Sequence, residues 1–79
     1  MKVISDGFFD IYVYANEVMQ PHHIPHCHVL SANGDTVVSL PDLGIIVGKP
    51  LSRRARKLAL DYIDEICESW NKLNPELTI

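Results

Sequence analysis

The chain has 79 residues, 47% of them hydrophobic and 22% charged, with a formal net charge of −3. That size supports one compact core and a single domain over residues 1–79, burying only about 60% of the surface the unfolded chain exposes. The apolar content argues against intrinsic disorder, and the mild acidity argues against a broad nucleic-acid-binding surface. Met1-Lys2-Val3-Ile4 runs directly into Ser5, Asp6 and Gly7, without an apolar leader core, and no run approaches a membrane span. A cytoplasmic protein with no membrane partner is expected.

Phe8 to Ala15 alternates, with Phe9, Ile11, Val13 and Ala15 on one face and Asp10, Tyr12 and Tyr14 on the other. This is the pattern of a half-buried strand. Pro21 and Pro25 bracket a polar loop. Val29 to Ala32 and Thr36 to Leu40 flank Asn33-Gly34, a dipeptide that favours a tight hairpin turn. Pro41-Asp42-Leu43-Gly44 is a second turn, leading into the short apolar run Ile45-Ile46-Val47. From Ser52 the period becomes helical. Ala55, Leu58, Ala59, Tyr62, Ile63, Ile66, Trp70 and Leu73 draw one apolar stripe on a helix of about five turns. Ser52 can cap its start and Asn74-Pro75 can end it. The predicted fold is α+β: a small, mostly antiparallel sheet of about four strands, with one long C-terminal helix packed on one face. The other face then meets water, a ligand or a second copy of the chain, which makes a homodimer one expected assembly.

All four histidines lie in His22-His23-Ile24-Pro25-His26-Cys27-His28. Imidazole changes charge near neutral pH and is the commonest metal ligand, so this segment is the first candidate for chemistry. His26 and His28 are two apart at a strand entry, so they share a face while Cys27 takes the other. With Cys27 and Val29 in the core, the imidazoles lie on the open, solvent-facing side beside Tyr12 and Tyr14; the opposite register buries them with Leu30 and Ala32. One neutral imidazole and one imidazolium would supply the base and acid for cleaving a phosphodiester through the neighbouring ribose hydroxyl, with no cofactor. Alternatively His26 and His28 hold a divalent metal such as zinc, completed by His22, His23, Asp10 or Glu17. The plainest alternative is that the histidines hydrogen-bond backbone carbonyls and fix the loop, a reading that suits His22 and His23 best.

Cys27 and Cys67 have no clip spacing, which fits two small apolar thiols. Five of the seven cationic residues, Lys49, Arg53, Arg54, Arg56 and Lys57, fall in an acid-free stretch. Cations in the first turns of a helix oppose its dipole, so they either form a solvated face, partly paired with acids such as Asp61, or bind an anion. On the second reading Lys49, Arg53, Arg54 and Arg56 contact RNA. Trp70 belongs to the core stripe.

The strand rich in Ile and Tyr, then Ile24-Pro25-His26-Cys27-His28-Val29, the hairpin, Pro50 before the helix and Trp70 near its end resemble a small bacterial family, DUF4160, whose signature is Pro-Pro-His-Phe-His-Val. The resemblance spans about Phe9 to Leu73. His26 and His28 take the places of its two motif histidines. Ile24 stands where the first Pro would be, Cys27 replaces Phe, and Met19 to His23 form a longer loop, so His22 and His23 gain nothing from the match. The resemblance implies a short cytoplasmic protein encoded beside a small partner protein in a toxin–antitoxin-like arrangement. The resulting expectation is a component of such a two-gene module that binds or cleaves RNA through the His26/His28 face, with Arg53, Arg54 and Arg56 nearby. Its rival is a non-catalytic metal- or protein-binding module.

Overall fold

A computed structural model describes residues 1–15, 24–32 and 34–79. Their strands are β1 (Lys2–Ser5), β2 (Asp10–Tyr12), β3 (His26–Ser31), β4 (Gly34–Ser39) and β5 (Ile45–Val47), and their helices are α1 (Arg53–Asp61) and α2 (Ile63–Leu73). The strands form one antiparallel meander in the order β1-β2-β3-β4-β5. The α+β class and the antiparallel sheet are as expected, but there are five strands and two helices where about four strands and one long helix were predicted.

The extra strand is β1, too short to show an alternation of its own. It is held at the sheet edge by Met1, whose ammonium donates to the Val13 carbonyl at 2.7 Å while the Val13 N–H donates to the Met1 carbonyl at 2.9 Å. β2 spans less than the predicted Phe8 to Ala15, and it starts late because the Asp6 carboxylate accepts from the N–H groups of Phe8 and Phe9 at 2.8 and 2.9 Å, drawing both into the turn before it. Ile11 and Val13 still point inward and are fully buried, whereas Ala15 is exposed.

β3 and β4 pair from His26↔Ser39 to Ser31↔Gly34. Gly34 has φ +124°, a conformation that disfavours any side chain. Its predicted turn partner Asn33, like Glu17, His22 and His23, lies outside the described residues. At the second turn the Ser39 N–H donates to the Gly44 carbonyl at 2.8 Å, and Leu43 turns into the core.

Ser52 caps α1 as expected, its hydroxyl accepting from the Ala55 N–H at 3.1 Å. The helix breaks at Tyr62, whose φ and ψ are −116° and 22°. Bonds from Tyr62 N–H to the Leu58 carbonyl and from Ile66 N–H to the Tyr62 carbonyl bridge the break. An aromatic followed by a β-branched residue is a weak spot in a helix, and Asp64 and Glu65 suit the first turn of a new one. Both pieces keep the stripe on the sheet except at the break, where Tyr62, predicted within it, is exposed: Ala55 and Ala59 from α1 and Ile66 and Trp70 from α2 lie against Ile11, Val13, Cys27, Val29 and Val38. At the end of α2, the Asn74 amide donates to the carbonyls of Tyr14 and Trp70, tying the helix terminus to the chain beyond β2.

Candidate functional site

The two ends of β3 carry the chemistry. At its start, Cys27 and Val29 face the helices, and His26 and His28 take the other face, as the favoured register predicts. The solvent exposure expected of them is absent: His26 is 3% exposed and His28 9%. Ring packing is one reason. His26 lies against Trp70 with ring centroids 5.1 Å apart and against His28 at 5.5 Å; His28 meets Tyr14 edge-on at 5.0 Å, and Tyr14 stacks on Tyr12 at 5.9 Å. Trp70, read from sequence as a stripe residue alone, thus also closes the histidine cluster. Its indole N–H donates to the Leu77 carbonyl at 2.6 Å, fixing the ring. His26 Nδ1 is 2.8 Å from the Ile24 carbonyl, the backbone role that the plainest reading gave the histidines.

Asp35 is the acid that sequence reasoning missed here. It sits two residues before Val37, the cross-strand partner of His28, on the same face, and its carboxylate is 3.6 Å from His28 Nδ1. Asp10, named as a metal ligand, pairs instead with Lys2 at 3.9 Å. Among the described residues no group of three or more His, Cys, Asp or Glu side chains is arranged to hold a metal ion. Burial pushes the Cys27 thiol up to about 12, with Cys67 adding to the effect. Burial and the Asp64 carboxylate raise the Cys67 thiol as well. Both shifts favour the neutral thiol, the less nucleophilic form.

At the other end of β3, a groove of about 410 Å³ opens between the β3–β4 hairpin and the segment entering α1. Val29 and Ala55 form its buried floor, Phe9, Pro50 and Leu51 its walls, and Lys49 stands at its lip. Gly48 makes this shape: at φ +99° it passes so close to β4 that a Cβ would lie 2.6 Å from the Asp35 carbonyl oxygen. The Thr36 hydroxyl then donates to the Lys49 carbonyl at 2.9 Å and pins the segment. A glycine just before Lys-Pro and a capping serine was the legible signal of this close approach.

The basic stretch divides. Arg54 lies 3.8 Å over the Phe8 ring and 3.5 Å from the Asp6 carboxylate. The N–H groups of Phe9 and Phe8, and Arg54 after them, hold the Asp6 carboxyl below its ordinary range. Lys57 pairs with Asp61 at 2.9 Å, as the solvated-face reading expected. Arg53 and Arg56 are exposed and form no ion pair among the described residues. The arginines are not neighbours of the histidines. His26 and Ser31 are five residues apart on one strand, about 16 Å at roughly 3.3 Å per residue, and the cations gather at the Ser31 end, on the helix side.

No described helix is long and apolar enough to cross a membrane. No curated protein and no solved structure matches the chain. One family model does, the domain of unknown function DUF4160, over residues 9–71. That match takes in the histidine cluster, the groove and the basic stretch together, and the chain belongs to this family.

Proposed function

We propose that this chain is a component of a toxin–antitoxin-like two-gene module and that it acts by binding single-stranded RNA at its basic end, around Lys49, Arg53 and Arg56. The observation that carries the reading is the contrast between the two ends: the imidazoles are shut among aromatic rings, while Lys49 lines an open groove and Arg53 and Arg56 stand exposed on α1, next in sequence to the groove residues Ser52 and Ala55. Cations that form no ion pair among the described residues are available to phosphates, and the acid-free stretch concentrates positive charge on a chain whose net charge is −3. The gene-pair setting rests on the family resemblance. A small partner protein that relieves the activity would carry an acidic segment able to cover Lys49 to Lys57.

Binding of a short single-stranded RNA across a salt series tests this. Arg53→Ala with Arg56→Ala should weaken binding and reduce the slope of log K against log salt by about 1.4, two phosphate contacts' worth. An unchanged slope returns these arginines to the solvated face. Induction of the chain in a bacterial host should slow growth, and co-induction of the neighbouring gene should relieve it.

One observation favours a second reading, cleavage at the histidines: Asp35 faces His28 in the manner of a carboxylate that orients a general base. Metal-independent RNA cleavage that disappears in Asp35→Asn and His28→Ala, with the fold retained, would replace binding by catalysis.

A further inference from the structure

We infer that the groove between the β3–β4 hairpin and α1 receives one unstacked nucleotide of the bound RNA, its base against the apolar walls and its phosphate at Lys49 and Arg53; this rests on the RNA-binding reading above. At about 410 Å³ the groove falls in the range of roughly 300–1,000 Å³ typical of small-ligand sites. Its surfaces match the two halves of a nucleotide. Val29, Ala55, Leu51 and Pro50 offer an apolar slot, and Phe9 adds an aromatic ring to the wall, which suits the flat face of a base. Lys49 is at the lip, and Arg53 follows one residue after Ser52, which also lines the groove.

Charge decides between an anionic and a cationic occupant. The acid at the groove, Asp35, has its carboxylate 3.6 Å from His28 on the far side of the sheet, and from Lys49 to Lys57 the chain carries no other acid. The Thr36 hydroxyl, committed to the Lys49 carbonyl, holds the lip in place without a ligand. The slot is therefore preformed, and a base already stacked in a duplex cannot enter it. The consequence is selectivity for single strands that comes from shape, with charge supplying the rest.

Amide NMR with adenosine monophosphate, adenosine and inorganic phosphate as separate probes, combined with oligonucleotide binding, tests the assignment. Adenosine monophosphate should shift the amides of Ser31, Gly34, Gly48 and Leu51, while phosphate alone shifts only those around Lys49 and Arg53. Ser31→Trp, which fills the slot, should abolish these nucleotide shifts and weaken single-stranded RNA about tenfold with an unchanged salt slope; Lys49→Ala should lower the slope instead. Should Ser31→Trp fail to fold, Leu51→Ala, which removes a wall, takes its place with the same expected loss. RNA that binds the filled variant as tightly as the original, with its dependence on Arg53 and Arg56 intact, overturns the groove and leaves the RNA reading standing. Absence of RNA binding by the unmodified chain at low salt overturns both.

Discussion

The two ends of β3 are built from the same strand and reach opposite outcomes. At the His26 end polar rings are buried and satisfied; at the Ser31 end an apolar-floored groove stays open beneath cations. The His26 end is closed by residues from far along the chain, Trp70 of α2 and Tyr14 beyond β2. The Ser31 end is shaped by a glycine whose missing Cβ lets the backbone at residue 48 pass close to Asp35 and Thr36 of β4. A cluster of reactive residue types is thus a poor guide to where a surface is available. Burial must be known before reactivity is inferred.

The sharpest way to break the contrast is to remove the closing ring. Trp70→Ala deletes a side chain only 3% exposed, together with its bond to Leu77 and its contact with His26. A loss of about 3–5 kcal/mol is expected, measured by urea unfolding. A loss below about 1 kcal/mol would mean that the histidine end is far looser than its geometry. In a host background stabilised enough to keep Trp70→Ala folded, RNA binding at the other end should persist.

The paired variant His26→Ala, His28→Ala comes next. Exposed imidazoles could be removed with little effect on the fold, but these two are buried among Trp70, Tyr14 and each other, so the pair should cost more than about 2 kcal/mol. Equilibrium unfolding reads the cost. Near-native stability would restore the open-face view of the histidines and with it the case for catalysis there.

Local and periodic features were legible in the sequence; long-range closure was not. The helix stripe, the Ser52 cap, the register that sends Cys27 and Val29 inward and the β3–β4 hairpin all follow from spacing, because each is decided by neighbours within a few residues. β1 was missed because a four-residue edge strand carries too little pattern, and its place depends on pairing with Val13. The break turned Tyr62, predicted as a stripe residue, out to solvent, but Ala59, Ile66 and Trp70 keep the stripe on either side of it, so periodicity did not show it, although Asp64 and Glu65 marked a fresh helix start. At the site, His26 and His28 were rightly put on one face, but their burial depends on Trp70, 44 residues further on. The groove needed Gly48 to be seen against Asp35: the glycine before Lys-Pro signals a close approach, but which backbone it approaches is set by the fold.

A third test uses pH at the core beneath the histidines. Burial holds the folded Cys27 thiol at about 12, whereas in the unfolded chain it ionises near its ordinary value of 9. Above pH 9 the unfolded state therefore loses its proton first, and stability that is fully present at neutral pH falls, by up to about 1.4 kcal/mol per pH unit. Cys27→Ala removes this component. The stability difference between the two proteins, from urea midpoints at pH 7 and above pH 9, should narrow as pH rises. Parallel curves would mean that solvent reaches Cys27 in the folded state, and that the sheet is less tightly closed at this end than the rings imply.

The smallest expected effect sorts the basic stretch itself. Arg54 lies over Phe8 and against Asp6, so it is occupied within the fold; Arg53 and Arg56 form no ion pair among the described residues. Phe8 is exposed and the pair is solvent-screened, which limits the cation–π contact to about 0.5–1 kcal/mol. Arg54→Ala should lower the melting temperature slightly and leave both the affinity for single-stranded RNA and its salt slope where they were. Arg53→Ala should do the reverse, changing the slope and sparing the fold, because removing a cation from the first turn of α1 relieves its unfavourable interaction with the helix dipole. Equal effects of the two variants on binding would erase the division and make the stretch one undifferentiated patch. Opposite effects assign one arginine to holding the β1–β2 turn and the other to the phosphate chain.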